Sequence, residues 1–289
     1  MRNKKAFLYL LPSLIIIILF QIYPVFKVLA MSFYTKFDYI KDIVYKRGLD
    51  NYAYVLKDPE FYLALKNTFL YVIISVPLSI GIALIFALIL NSNIKFKKFF
   101  RTIYFIPFVT STVAISVVWK WIFSRDMGLA NILIGLIGIS PQAYLSNSSL
   151  TLPLLILLNV WKGLGYKIII ILAGLQTIDD KYYNAAMIDG ANKFQRFKSI
   201  TVPLLSPIIY FLAITSVIGG FKIFDEVFVL YDQKPGPLQS GLTIVYYVFN
   251  KFYMNWQFAI ASSAAFVLFI IILTFTLIQL FASKKKVHY

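Results

Sequence analysis

The sequence predicts an all-α polytopic membrane protein with six transmembrane helices. Three observations predict it: apolar residues come in runs of spanning length, charged residues are scarce, and basic residues gather between alternate runs. Hydrophobic residues fill 60% of the 289 positions and charged residues only 14%, whereas soluble domains carry about 45–50% and roughly 25%. A helix crosses the hydrocarbon core in roughly 20 mostly apolar residues. Lipid offers the backbone no hydrogen-bond partner, so such runs must be helical.

The first run, Ala6–Met31, follows Arg2, Lys4 and Lys5. It is longer than the apolar core of a signal peptide and has no convincing small-x-small cleavage site, so it reads as a retained anchor. Ala64–Leu90, Ile103–Phe123, Leu152–Leu175, Leu204–Phe224 and Phe258–Phe281 are the other five spans. External segments are expected at Phe33–Leu63, Ser124–Thr151 and Asp225–Gln257. The second carries turn signals at Ile139-Ser140-Pro141 and Asn147-Ser148-Ser149, and the third the breaker run Lys234-Pro235-Gly236-Pro237.

The net charge of +16 raises a nucleic-acid reading, but nucleic-acid binders gather basic residues on a soluble face. Here Arg2, Lys4 and Lys5, then Lys95, Lys97, Lys98 and Arg101, then Lys181, Lys193, Arg196 and Lys198, then Lys284–Lys286 all flank spans. All four clusters fall on one side of a six-span chain, and positive-inside bias makes that side cytoplasmic. Both termini are therefore expected inside a cell membrane, with lipid and no nucleic acid as the surroundings. Cysteine is absent, which excludes disulfide and thiol chemistry. No catalytic or metal site is expected.

The long internal segment, Gln176–Pro203, is the most informative. Asp179 or Asp180 caps a short helix over Tyr182–Ile188, and Asp189-Gly190 is a turn signal that ends it. A second short helix is expected from Lys193 to Thr201, ending before Pro203. Two readings fit: helices resting at the headgroups, or a dock for a cytoplasmic protein. The small pair Ala185-Ala186 ahead of a forced turn favours docking, because small residues let another surface approach closely.

This segment resembles the cytoplasmic signature of permease subunits in bacterial ABC importers: Glu-Ala-Ala, two residues, Asp-Gly-Ala, then Phe, Ile and Leu-Pro. Ala185-Ala186, Asp189-Gly190-Ala191, Phe197, Ile200 and Pro203 match, Val202 replaces Leu, and Asn184 stands where the family has Glu. Asn51-Tyr52, Asp58-Pro59-Glu60-Phe61, Asn67-Thr68, Arg101-Thr102, Phe105-Ile106-Pro107, Trp119-Lys120-Trp121, Trp161-Lys162, Gly165 and Ala173-Gly174-Leu175-Gln176 resemble the carbohydrate type. The cargo implied is a disaccharide or oligosaccharide, with glycerol-phosphate or another small polar solute as the alternative.

The resemblance implies the ABC-importer permease fold: an anchor helix and external segment over 1–63, and a core permease domain over 64–289 with five transmembrane helices. It implies four partners or partner sets: a homologous second permease, an ATP-binding cassette ATPase dimer, an extracytoplasmic substrate-binding protein and membrane lipid. ATP and magnesium would sit on the ATPase subunits, with no cofactor on this non-catalytic chain. Tyr183, Asn184, Ala185, Ala186, Asp189, Gly190 and Ala191 would then couple loop 176–203 to the ATPase.

Polar residues inside the spans are the candidates for a substrate path. Lys162 and Lys167 each cost about 2.5–3.5 kcal/mol at a lipid-facing helix centre, so they should face protein or water. At 100° per residue, Asn159, Lys162, Gly163 and Tyr166 share a face. Either they bond neighbouring helices or they wall the path, as related permeases do around the matching Asn and Gly. Trp161 reaches that face only if Gly163 and Gly165 distort the helix. Thr215, Gly219, Lys222 and Glu226 fall on one stripe with Asp225 beside it; Lys222 and Glu226 either pair at i,i+4 or meet substrate.

The chain lacks a Gly-x4-Gly-Lys-Ser/Thr phosphate loop, so ATP-driven work needs a partner. An autonomous secondary transporter is the competing class, but no inverted repeat is found and Asp and Glu are scarce inside the spans. A serine intramembrane protease is disfavoured because the one histidine is His288.

Overall fold

The structure is a computed structural model that describes residues 2–38, 41, 43–92 and 95–286. His288 and the side chains of Arg2, Lys4, Lys5, Lys98 and 284–286 lie outside the described residues. In chain order, α1 (Arg2–Ile17) and α2 (Tyr23–Ser32) form the anchor, followed by β1 (Tyr34–Asp38), β2 (Ile43–Arg47) and α3 (Asp50–Val55). Then come α4 (Pro59–Asn91), α5 (Lys97–Val109), α6 (Thr112–Ile122), α7 (Leu129–Gly135) and α8 (Ser148–Leu175). The remainder is α9 (Asp180–Ile188), α10 (Lys193–Arg196), α11 (Val202–Phe221), α12 (Asp225–Leu230), α13 (Ile244–Phe249) and α14 (Phe258–Lys286).

Five helical stretches are long and apolar enough to span: Tyr9–Ser32, Pro59–Asn91, Ser148–Leu175, Lys193–Phe221 and Phe258–Ser283. The sixth run, Ile103–Phe123, is not one straight helix. It breaks into α5 and α6, bent by 100°. Thr110 and Ser111 are extended at the break, and the Thr110 hydroxyl bonds the Ile106 carbonyl at 2.8 Å. Pro107 has already removed one backbone donor, and hydroxyls in the next turn give the chain partners other than the helix. Counting the bent pair as one span keeps the basic clusters before α5 and after α8 on the same side.

Two compact units divide the chain: Met1–Leu63 with Ile244–Ile270, and Ala64–Thr243 with Ile271–Tyr289. In the first unit, the C-terminus of α2 is a hub. Asn51 donates to the Ser32 and Tyr34 carbonyls, the Ser32 hydroxyl pairs with Tyr52, and Ser263 donates to the Ser32 carbonyl. Strands β1 and β2 form an antiparallel hairpin, which the helix-only reading lacked. A buried ion cluster completes this unit. Lys251 lies 3.1 Å from Asp58 and 3.4 Å from Glu60, and the Tyr247 hydroxyl donates to Asp58 at 2.7 Å.

In the second unit, α4 shows why an all-round apolar helix still has faces. Ala64, Thr68, Tyr71, Ser75, Ser79, Ala83 and Ala87 are buried at three- to four-residue spacing. Ile73, Ile74, Leu78, Ile85 and Ile89 are exposed on the other side. Membrane helices approach through small residues, and the glycines mark where. A Cβ on Gly165 of α8 would lie 2.1 Å from the Tyr104 carbonyl of α5, and one on Gly174 would lie 2.0 Å from Ile208 of α11. Phe69, Phe221 and Phe275 meet at ring separations of 5.2–5.6 Å, joining α4, α11 and α14.

Candidate functional site

The internal loop folds as its sequence dictates in its first half. Asp179 is the N-cap, its carboxylate accepting from the Lys181 amide at 2.9 Å. The end of α9 is a Schellman closure: the Ala191 amide donates to the Ala186 carbonyl at 2.8 Å and the Gly190 amide to Met187 at 3.1 Å. Gly190 has φ +80, a conformation that L side chains resist. Ala191 is half-buried beside it, and Asp189 is exposed.

The second half differs from expectation. α10 does not stop before Pro203; it passes through a π turn, Phe197–Thr201, into α11, giving one helical stretch of 29 residues. The Val202 amide bonds the Phe197 carbonyl across this wide turn, so the missing donor of Pro203 breaks no regular ladder. A π turn, Ile18–Ile22, precedes Pro24 in the same way. An Asn192–Gln195 capping box starts α10, with bonds of 2.7 and 2.9 Å.

Tyr183 joins the two halves. Its hydroxyl lies 2.9 Å from that of Thr201, a buried residue in the π turn at the foot of α11. Asn184 and Ala185 are exposed and Ala186 is half-buried. Beside them Ile188 is 88% exposed, and Met187, Tyr182 and Phe194 are exposed too. An apolar surface of this kind at a helix end needs a cover.

A polar cluster sits in the same unit between α4, α6, α8 and α12. The Lys162 ammonium of α8 donates to the Thr112 hydroxyl at the start of α6. Asn159, one turn earlier, and Glu226 of α12 act on the buried Tyr71 hydroxyl of α4. Lys162 and Asp225 both act electrostatically on Glu226. Of the two readings for Lys222 and Glu226, the i,i+4 pair is not made, because α11 ends at Phe221 and α12 starts at Asp225. The cation that acts on Glu226 is Lys162, 64 positions earlier, through its field and without a direct ion pair.

The other candidates scatter around this cluster. Helix α8 runs unbroken through Gly163 and Gly165, so Trp161 stays on its own face, with its ring 5.6 Å from Trp119. A Cβ on Gly163 would meet the buried Lys167 ammonium at 2.8 Å. Tyr166 stacks on Phe108 at 5.0 Å and 17°. Thr215 bonds its own helix at Phe211 and Leu212, Gly219 faces open space, and Lys222 is exposed. Tyr71 and Thr112 went unnoticed in the sequence: a tyrosine and a threonine in apolar runs carry no signal of their own.

Residues 79–287 match the family described as binding-protein-dependent transport system inner membrane component. The chain belongs to that family. It is 35% identical to the lactose transport system permease protein LacF of Rhizobium radiobacter, over 98% of this chain and 95% of that one. Identity is 36% to the arabinooligosaccharides transport system permease protein AraP of Bacillus subtilis (strain 168), covering 96% and 88%. It is 32% to the trehalose/maltose transport system permease protein MalF of Thermococcus litoralis, covering 96% and 92%. The fold is shared with a chain of a bacterial ABC transporter involved in the import of the acidic polysaccharide alginate. The TM-score there is 0.87 at 23% identity, covering 98% of this chain and 96% of that one. The permease fold expected from the loop signature is thus the fold observed.

Proposed function

We propose that this chain is a carbohydrate permease that lines the substrate path with a second permease and is driven through α9 by an ATPase dimer. Cargo arrives on an extracytoplasmic binding protein, ATP and magnesium stay on the ATPase, and both termini lie in the cytoplasm. The observation that carries the reading is α9 itself: closed at both ends, apolar on its outer side, and hydrogen-bonded by Tyr183 to the foot of α11.

The mechanics follow from that geometry. A partner gripping Ala185, Ala186, Met187 and Ile188 moves α9 as a block, since its cap and its Schellman closure leave it no fraying end. Thr201 carries the displacement into a 29-residue helix, about 44 Å long. The Gly174–Ile208 contact takes α8 along. Asn159 and Lys162 on α8 then shift against Thr112, Asp225 and Glu226, which opens or closes the polar cluster. Amides, carboxylates and ammonium groups there suit sugar hydroxyls, and Thr215, Gly219 and Lys222 offer an open stripe for the far wall. Asn184 keeps a hydrogen-bonding group where the family has a carboxylate, so docking is rewired and not lost.

Reconstitution in proteoliposomes tests this. Uptake of an oligosaccharide is expected only with the second permease, the ATPase and the binding protein all present, and this chain alone should hydrolyse no ATP. Uptake by the chain alone under an ion gradient overturns the proposal.

A further inference from the structure

We infer that α7 and the turn after it form an anchor lying in the outer lipid surface. Leu129, Ile132, Leu133, Leu136 and Ile137 recur at i, i+3, i+4, i+7 and i+8, the spacing of one helix face. All five are exposed, from 40% at Leu129 to 78% at Leu136. Between Met127 and Asn147 there is no Asp, Glu, Lys or Arg. A patch of large aliphatic side chains with no charge among them is disfavoured against water.

The opposite face is fixed to the protein. Asn131 is buried, and its side chain donates to the Ser124, Arg125 and Gln142 carbonyls and accepts from the Gln142 amide at 2.8 Å. This clasp folds Ser124–Gln142 into a closed loop. The helical turn ends in a second Schellman closure, with Gly138 at φ +77 and Ile139 donating to Ile134 at 3.1 Å. The aliphatic face is therefore held outward by design of the loop, and is not a helix waiting to turn over.

Connectivity says what covers it. α7 begins seven residues after α6 ends and packs on α6, and α8 starts again at Ser148. Both neighbours belong to membrane spans, so the segment between them starts and ends at the bilayer boundary. The exposed side of α6, with Val113, Val117, Val118 and Trp121, is of the same apolar character. An uncharged aliphatic face suits the acyl boundary about 5–10 Å below the headgroups, and it needs no anionic lipid.

The chain has no cysteine, so single nitroxide labels at Leu133→Cys, Leu136→Cys and Ile137→Cys report directly. In the assembled transporter in neutral phosphatidylcholine vesicles, the ratio of oxygen to aqueous nickel-chelate accessibility at these sites should exceed that at Ser140→Cys several-fold. Adding 1 M salt (about 3 Å screening length) should leave it unchanged. Nickel-chelate access equal to Ser140 at all three sites overturns the inference. Exclusion of both probes overturns it too, since that places the face against a protein partner.

Discussion

Gly190 makes a specific demand at the residue scale. Its φ of +80 closes α9, and an L side chain pays roughly 1–2 kcal/mol to adopt that conformation. Gly190→Val should therefore lower ATP-driven uptake roughly tenfold while the chain still inserts and assembles; normal uptake by this variant would show that the closure is dispensable. Lys251 and Asp58 make the second demand. Their side chains are only 7% and 9% exposed, and removing one partner of such a pair typically costs about 3–5 kcal/mol. Lys251→Met should accordingly lower the melting temperature markedly, with Asp58→Asn close behind.

The same pair gives a pH signature. Burial works to raise the pKa of Asp58, but hydrogen bonds from Tyr247 and Lys251 hold it below the usual carboxylate range. Its contribution to stability is present above the ordinary carboxylate pKa and is lost as pH falls through the depressed value. Burial lowers the pKa of Lys251, but its bond to Asp58 raises it on balance. Its contribution is present below the ordinary lysine pKa and is lost as pH rises through the raised value. Melting curves of the native chain and Asp58→Asn should differ near neutrality and converge in strong acid; a constant gap would contradict this account.

At the scale of elements, α9 and α11 work as one piece only if the Tyr183–Thr201 bond holds. One such bond contributes about 1 kcal/mol net, so Tyr183→Phe should leave ATP hydrolysis by the assembled transporter near normal and cut uptake per ATP several-fold. Equal loss of both activities would make Tyr183 a folding residue. Legibility in the sequence divides at this scale. Asp179 capping and the Asp189-Gly190 stop were readable because caps and turns are local chemistry. The run-on of α10 into α11 was not, because a π turn before Pro203 leaves no composition mark. Thr110-Ser111, the hinge of α5 and α6, reads as ordinary span residues unless hydroxyl clusters after a proline are taken as a break.

For the whole molecule, the bilayer made the apolar runs legible, since only helices satisfy the backbone there, but not the 100° break between α5 and α6 or the start of the α10–α11 stretch at Lys193. Pairings across the chain were hidden. Lys251 meets Asp58 from 193 positions away, and Lys162 acts electrostatically on Glu226 from 64. Sequence singled out Lys162, Asp225 and Glu226 as polar oddities and left open whether Glu226 pairs with Lys222, because helical periodicity was carried past the end of α11. The face of α7 was readable in its spacing, but the turn signals around it made it pass for loop.

The central claim is that 176–203 is a cytosolic lever gripped by a nucleotide-binding partner. A single cysteine at Ile188, the most exposed apolar residue of α9, tests it in native membrane vesicles by short-range cross-linking. The predicted result is one cross-link to the ATPase subunit whose yield changes when ATP replaces ADP, with labelling from the cytoplasmic face alone. Labelling from the external face, or a cross-link to no nucleotide-binding protein in either state, would contradict it.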